Sequence, residues 1–229
     1  MIPRILMSIL AIGVLFSCKS DVEVTKPKII EKPIIFDDTR RDLTLEYLQD
    51  HYGLEQDAPT IDPRMIVLHW TAIPTFEGSF DAFYPSKIGG WRKYVQAASS
   101  LNVSSHFLVD QDGTIYRLMP ETTMARHVIG LNHTAIGVEN VGGTENRPLT
   151  QAQLESNIAL VKYLADTYNI EYLIGHYEYT NFEGHPFWLE KDDAYRTEKT
   201  DPGKDFMRKV RKATEKLNFK PVPDKTKTE

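Results

Sequence analysis

Seven histidines are spread along the 229-residue chain, and two of them stand where chemistry can be built. His69 closes the apolar run Ile66-Val67-Leu68, and His176 closes Tyr172-Leu173-Ile174-Gly175. In a mixed α/β sheet, side chains at the ends of neighbouring strands share a rim, and sites form there. Two imidazoles on one rim can hold one metal ion. A catalytic zinc takes three protein ligands and keeps its fourth position for water. Asp201 is a candidate for the third ligand. It lies in Glu198-Lys199-Thr200-Asp201-Pro202-Gly203, a turn in which Pro202 fixes φ and Gly203 accepts a positive φ. Neither HExxH nor CxxC occurs in the chain, so spacing alone leaves a metal centre and an ordinary polar turn both open. Glu139 interrupts an apolar strand, where a carboxylate needs a partner or a role. Lys199, among the charges of "KDDAYRTEK", reads by itself as a surface lysine. His51, His133 and His185 carry no signal beyond a structural or surface role.

The elements that must position these groups alternate in type. Residues 42–54 show helical spacing of Leu43, Leu45, Leu48 and Tyr52. Residues 64–70 are strand-like, and 89–101 read as a helix. Residues 105–118 form the clearest hairpin, two alternating runs around Asp110-Gln111-Asp112-Gly113. A further strand covers 134–143. A strong helix covers 149–168, opened by a capping box of Thr150 and Gln153. Residues 170–176 return to strand, and 203–217 close with a helix. This alternation predicts an α/β fold, a single domain with a central mixed β-sheet flanked by helices, over about residues 40–218. The segment 177–198 between His176 and Lys199 is long and aromatic, with Tyr177, Tyr179, Phe182, Phe187 and Trp188. Aromatics so placed read as a small satellite core, with a groove for glycan or peptide as the alternative.

The chain ends belong to a different category. Arg4 and the apolar run from Ile5 to Phe16 form a secretion signal over residues 1–17, too short to span a bilayer. Cys18 is the only cysteine, which excludes an intramolecular disulfide. The stretch "LFSC" ending at Cys18 resembles a lipobox, whose cysteine is lipidated and becomes the mature N-terminus. Residues 18–39, charged and carrying Pro27 and Pro33, then read as a tether, and 219–229 as a charged tail. Cleavage removes Arg4 and no acidic residue, taking the formal charge from −5 to −6. An acidic export product argues against nucleic acid as a partner. The membrane would be reached through acyl chains at Cys18.

Five segments in order carry a resemblance: "IVLHWTA" (66–72), "SSHFLVDQDGTIYRL" (104–118), "RHVIGLNHTAIGVENVGG" (126–143), "LIGHYEY" (173–179) and "KTDPG" (199–203). Together they resemble the zinc-dependent N-acetylmuramoyl-L-alanine amidases of the type 2 family, which share their fold with the peptidoglycan recognition proteins. The resemblance implies that fold here. It also implies one zinc ion per chain on His69, His176 and Asp201, with Glu139 and Lys199 as catalytic residues. His127 and Asn132 fall in the segment that touches the muropeptide. His106 and Trp70 are likewise expected beside the substrate. Ser105 stands where some relatives carry a catalytic tyrosine, so that role does not transfer. The implied reaction is hydrolysis of the amide between N-acetylmuramic acid and L-alanine in peptidoglycan or muropeptides. The implied setting is a monomeric lipoprotein of the cell envelope, favouring the outer membrane because Lys19 follows Cys18. The rival reading is a module of the same fold that binds peptidoglycan without cutting it.

Overall fold

The computed structural model describes residues 26–90 and 93–224. The signal sequence expected over residues 1–17 and the lipidation expected at Cys18 therefore lie outside the described residues. Among the described residues, a six-stranded sheet runs β1-β4-β3-β5-β2-β6, with β1 Ile29–Glu31, β2 Met65–Leu68, β3 Phe107–Val109, β4 Ile115–Arg117, β5 Ala135–Asn140 and β6 Tyr172–Gly175. Only the β3–β4 hairpin is antiparallel; β1–β4, β3–β5, β5–β2 and β2–β6 pair parallel. The helices are α1 Asp38–Tyr52, α2 Phe76–Phe83, α3 Lys93–Ala98, α4 Gln151–Thr167 and α5 Lys204–Ala213. None of them is long and apolar enough to cross a membrane. The predicted single mixed α/β domain is what the chain forms.

Side-chain alternation assigns the two faces of the sheet. Ile66, Leu68, Phe107, Val109, Ile136, Val138 and Leu173 point to one face, where Leu154, Leu160, Val161 and Leu164 of α4 and Met207 and Val210 of α5 cover them. Met65, Val67, Ala135, Tyr172 and Ile174 point to the other, under Tyr179, Phe182 and Tyr195 of the aromatic segment. That segment is therefore not a satellite. It is the lid of the main core on the second face, and the helix-facing core takes only Tyr177 from it. Parallel strands buried on both faces read as unbroken apolar runs, which is how β2 and β6 look in sequence.

Local signals set the helix ends. The Asp37 carboxylate accepts from the Arg40 amide at 2.9 Å and from the Ser86 hydroxyl at 2.7 Å, starting α1 four residues earlier than its leucine spacing suggests. Gly53 ends α1 with φ of 69°. Thr150 and Gln153 form the expected capping box of α4. α3 is shorter than its sequence pattern, and Trp91 and Arg92 lie outside the described residues. The final helix stops at Ala213, and a 3₁₀ turn, Glu215–Leu217, follows.

Two boundaries need correction. The tether expected over residues 18–39 ends early, because Ile29–Glu31 adds an edge strand to β4 and Ile34 is buried at 4% exposure. The reason is composition: Ile29, Ile30, Ile34 and Ile35 supply apolar surface that is favourable to bury, and prolines on either side suit an edge strand. The tail expected over 219–229 is also partly packed. Phe219 and Val222 lie on the two cores, the Lys220 amide donates to the Glu171 carbonyl at 2.8 Å, and Asn181 holds the Pro223 carbonyl. Replacement Ile34→Ala is expected to destabilise the domain by about 2–5 kcal/mol in urea unfolding. A free tether would show no change.

Candidate functional site

Register builds the site before any side chain is considered. Leu68 pairs with Val138 of β5 on one side and Gly175 of β6 on the other. The next residue on each strand is Glu139, His69 and His176, so these three stand abreast at the C-terminal ends of β5, β2 and β6. Neighbouring strands lie about 4.8 Å apart. Alternation sends all three side chains away from α4 and α5, because Leu68, Val138 and Gly175 face those helices. His69 is fastened by its amide to the Val138 carbonyl at 2.8 Å, while its carbonyl accepts from the Asn140 side chain at 2.9 Å.

Asp201 arrives from far along the chain. Its carbonyl accepts from the Tyr177 amide at 3.1 Å, which ties the turn to the residue after His176. Gly203 closes the turn on the Thr200 carbonyl at φ of 88°, with the Trp70 ring packed against it. The turn after His176 is secured in addition by Glu178, whose carboxylate accepts from the Gly175 amide and pairs with Arg211 of α5. Sequence reasoning missed Glu178 and Arg211, since neither touches the site itself.

The three predicted ligands converge. His69 Nδ1 and His176 Nδ1 lie 2.9 Å apart, and Asp201 Oδ2 is 3.2 Å from the first and 3.0 Å from the second. All three residues are buried. Burial pushes the Asp201 carboxyl upward, but the His176 and His69 rings beside it outweigh this and hold it well below the usual carboxylate range. Burial likewise depresses His176 to about 4, against the opposing pull of Asp201. The donor set fits a divalent metal. A tetrahedron built on zinc bonds of about 2.0–2.1 Å has edges near 3.3 Å, close to the three separations here. Two imidazole nitrogens and a carboxylate oxygen facing one another also need positive charge between them.

Glu139, His127, His176, Lys199, Asp201 and Trp70 all line one cleft above this centre. Its apolar walls include Ile73, Phe83, Val95, Val128 and Ile129. Lys199 lies near enough to His176 for its charge to disfavour protonation there. Trp70 packs over Gly143, where a Cβ would stand 2.3 Å from the indole, and presents its remaining surface to the cleft. Arg126, which the sequence reading left without a role, shapes the wall. Its guanidinium donates to the Val95, Ser99 and Leu101 carbonyls and to the Tyr195 hydroxyl.

Of the residues expected beside the substrate, His127 and Asn132 line the cleft, and His106 is a hydrogen-bonding residue on the sheet next to it. His106 is fully buried; its Nδ1 accepts from the Gly137 amide at 2.9 Å and its Nε2 donates to the Thr123 carbonyl at 2.8 Å. Burial lowers its pKa to about 4, so it is a neutral brace between strands. Asn132 borders the cleft, but its Oδ1 accepts from the His127 and Val128 amides, both at 2.8 Å, and its Nδ2 donates to the Tyr52 hydroxyl at 2.9 Å. It shapes the loop that carries His127. His127 contacts His69 and the Ala135 carbonyl through its two nitrogens. Burial, then the neighbouring His69 and His106 rings, hold its pKa well below the ordinary value. Of the remaining histidines, His51 pairs with Glu190 at 2.8 Å and His185 meets the Tyr172 hydroxyl, as structural roles predict.

A mixed α/β sheet thus carries, at the ends of its parallel strands, a buried His-His-Asp group whose ligand atoms could hold one metal ion. Residues 59–204, which contain every one of these groups, match the Amidase_2 family, N-acetylmuramoyl-L-alanine amidase, and the chain belongs to that family. The endolysins of Escherichia phage T7 and Enterobacteria phage T3 are 32% and 30% identical over 92 residues. That match is 38% of this chain and spans 61% of the length of each endolysin. Among solved structures, an endolysin N-acetylmuramoyl-L-alanine amidase, LysCS, from Clostridium intestinale URNW shares the fold. It has a TM-score of 0.50 and 24% identity, over 86% of this chain and 99% of that one.

Titration of metal-stripped protein with zinc should fill one site per chain. Replacement His69→Ala or Asp201→Ala should weaken uptake by more than the roughly 10- to 100-fold that loss of an outer partner costs.

Proposed function

We propose that this protein hydrolyses the amide bond between the lactyl group of N-acetylmuramic acid and L-alanine of the stem peptide, with one zinc ion per chain. The observation that carries this reading is the shared cleft. His176, Asp201, Glu139 and Lys199 line one cavity within the family-matched residues, and the buried His69 meets His176 and Asp201 beneath it.

His69, His176 and Asp201 would hold the ion. When bound, zinc supplies Lewis-acid polarisation of a carbonyl and lowers the pKa of water beside it to about 7. Glu139 stands one strand away from His69 in the same row, so its carboxylate is placed to take the proton from the attacking water. It then returns that proton to the departing amide nitrogen, which leaves as the L-alanine amine. Lys199 reaches the cleft from the turn that carries Asp201 and gives positive charge to the oxygen of the tetrahedral intermediate. The apolar walls keep bulk water from this exchange and strengthen both electrostatic effects. Lys199 and Asp201 share one turn because their tasks are adjacent in space.

The reading extends to the setting: export, acylation at Cys18 and a place in the cell envelope, favouring the outer membrane. A binding module would recognise muropeptide without needing a metal, a base and a cation in one cleft.

Digestion of purified wall and of soluble muropeptides, with products identified by mass, tests the proposal. Zinc-loaded protein should release stem peptides with a free L-alanine amine, and chelation should abolish release. Glu139→Gln should keep the metal and lose roughly 10²- to 10⁴-fold in turnover, and Lys199→Ala about 10²- to 10³-fold. Zinc-loaded protein that binds muropeptide and leaves the amide intact would favour the binding module.

A further inference from the structure

We infer that His127 is a positioning residue: it accepts the Nε2 proton of His69 and so leaves His69 Nδ1 as the bare nitrogen of the metal centre. The inference rests on the metal-site reading above for its consequence, though not for its geometry. It changes the role of His127, which the sequence places against the substrate.

One atom beside His127 has no choice of role. The Ala135 carbonyl lies 3.1 Å from His127 Nε2, and a carbonyl oxygen can only accept. His127 Nε2 therefore carries its hydrogen, and in the neutral ring Nδ1 is bare. That bare nitrogen is 3.0 Å from His69 Nε2, so the proton between them belongs to His69. With Nε2 carrying that hydrogen, Nδ1 is the nitrogen of His69 left for a metal, and it is the atom that meets His176 Nδ1 and Asp201 Oδ2. One backbone carbonyl thus sets two tautomers in series and selects the nitrogen that faces the metal.

The surroundings hold this chain in place. The His127 ring stands edge-on to His69 at an interplanar angle of 89° and edge-on to His106 at 83°. It lies over Gly137, where a Cβ would stand 2.8 Å from His127 Cγ. Gly137 is needed for that close approach, since its φ is not in the left-handed region. The backbone before the ring is pinned as well. The amides of His127 and Val128 both donate to Asn132 Oδ1, and Asn132 Nδ2 donates to the hydroxyl of Tyr52 on α1. His127 is partly accessible from the cleft, yet both of its ring nitrogens are engaged within the protein.

Histidine-labelled protein, stripped of metal, gives the direct readout by ¹⁵N NMR. His69 should show a protonated Nε2 and an unprotonated Nδ1, with a coupling across the hydrogen bond to His127 Nδ1. Zinc affinity by chelator competition gives the second. His127→Leu should weaken binding about 10- to 100-fold, the range for losing an outer partner of a ligating histidine. His127→Asn, whose side-chain oxygen can accept in place of Nδ1, should recover most of that loss. A His69 protonated on Nδ1, or a His127→Leu protein that binds zinc as tightly as the wild type, overturns the inference. Should the wild type take up no zinc, the metal reading fails, and the His69 tautomer in the same spectra still decides this one.

Discussion

The parallel register of β5, β2 and β6 is the constraint on which the rest depends. Pairing Leu68 with both Val138 and Gly175 puts Glu139, His69 and His176 in one row. Side chains alternate with a period of two, so a one-residue slip of β2 would send His69 into the α4 and α5 core and Leu68 into the cleft. Burial guards against that slip from both sides. Ile66 and Leu68 are fully buried against the helices, and Met65 and Val67 are fully buried against the aromatic segment. Moving either pair would take apolar side chains out of packed cores, at about 1.5–3 kcal/mol for each fully exposed residue. The row inherits its precision from four hydrophobic residues that lie outside the cleft.

Around that row the protein gathers polar groups that a core would otherwise exclude. His69, His176, Asp201, His106, Asn132, Asn140 and Asn157 are all buried. Most of their polar atoms are partnered. Asn140 and Asn157 bond each other and join β5 to α4, His106 bridges β3 and β5, and Asn132 ties the His127 loop to α1. Buried polar groups that are satisfied rigidify their surroundings. The metal-facing atoms are the exception, because three donors directed at one point have only one another as partners. A cation would complete a site of that composition, and its uptake would then be coupled to the integrity of the strand ends.

What could be read in advance follows from how local each signal is. His69 and His176 were legible because each ends an unbroken apolar run, and the hairpin and α4 because turn and cap residues sit beside the segments they start. β1 was not. Three residues between Lys28 and Lys32, with prolines nearby, give too short a pattern to separate a strand from a tether, and only pairing with β4 reveals it. The family resemblance placed Asn132 in the segment that touches the muropeptide and left His106 a hydrogen-bonding residue near the site, but it could not say where their nitrogens and oxygens point. Each accepts from backbone amides that the pattern of its own segment does not announce: that of Gly137 for His106, and those of His127 and Val128 for Asn132. The cap on α1 shows a milder version. Asp37 marks the true start, yet it precedes a charged stretch whose leucines begin only at Leu43.

The long excursion between His176 and Asp201 raises a final physical question, since a ligand on a remote turn must return accurately. Lengthening a flexible loop is inexpensive, about 0.6 kcal/mol of closure entropy for each doubling. This loop is not flexible, and that is what restores precision. Tyr179, Phe182 and Tyr195 are buried at 5% exposure or less under β2 and β6. The Tyr179 hydroxyl donates to the Thr197 carbonyl at 2.7 Å and accepts from the Thr197 amide at 2.8 Å. Burying three aromatic side chains outweighs the extra closure entropy several-fold. The excursion is thereby divided into short, anchored spans. The last of them runs from Thr197 through Lys199 to Asp201, which meets the Tyr177 amide and finishes the turn beside His176. Accuracy at Asp201 comes from aromatic packing on the sheet face toward which the row itself points, and the same packing brings Lys199 to the cleft.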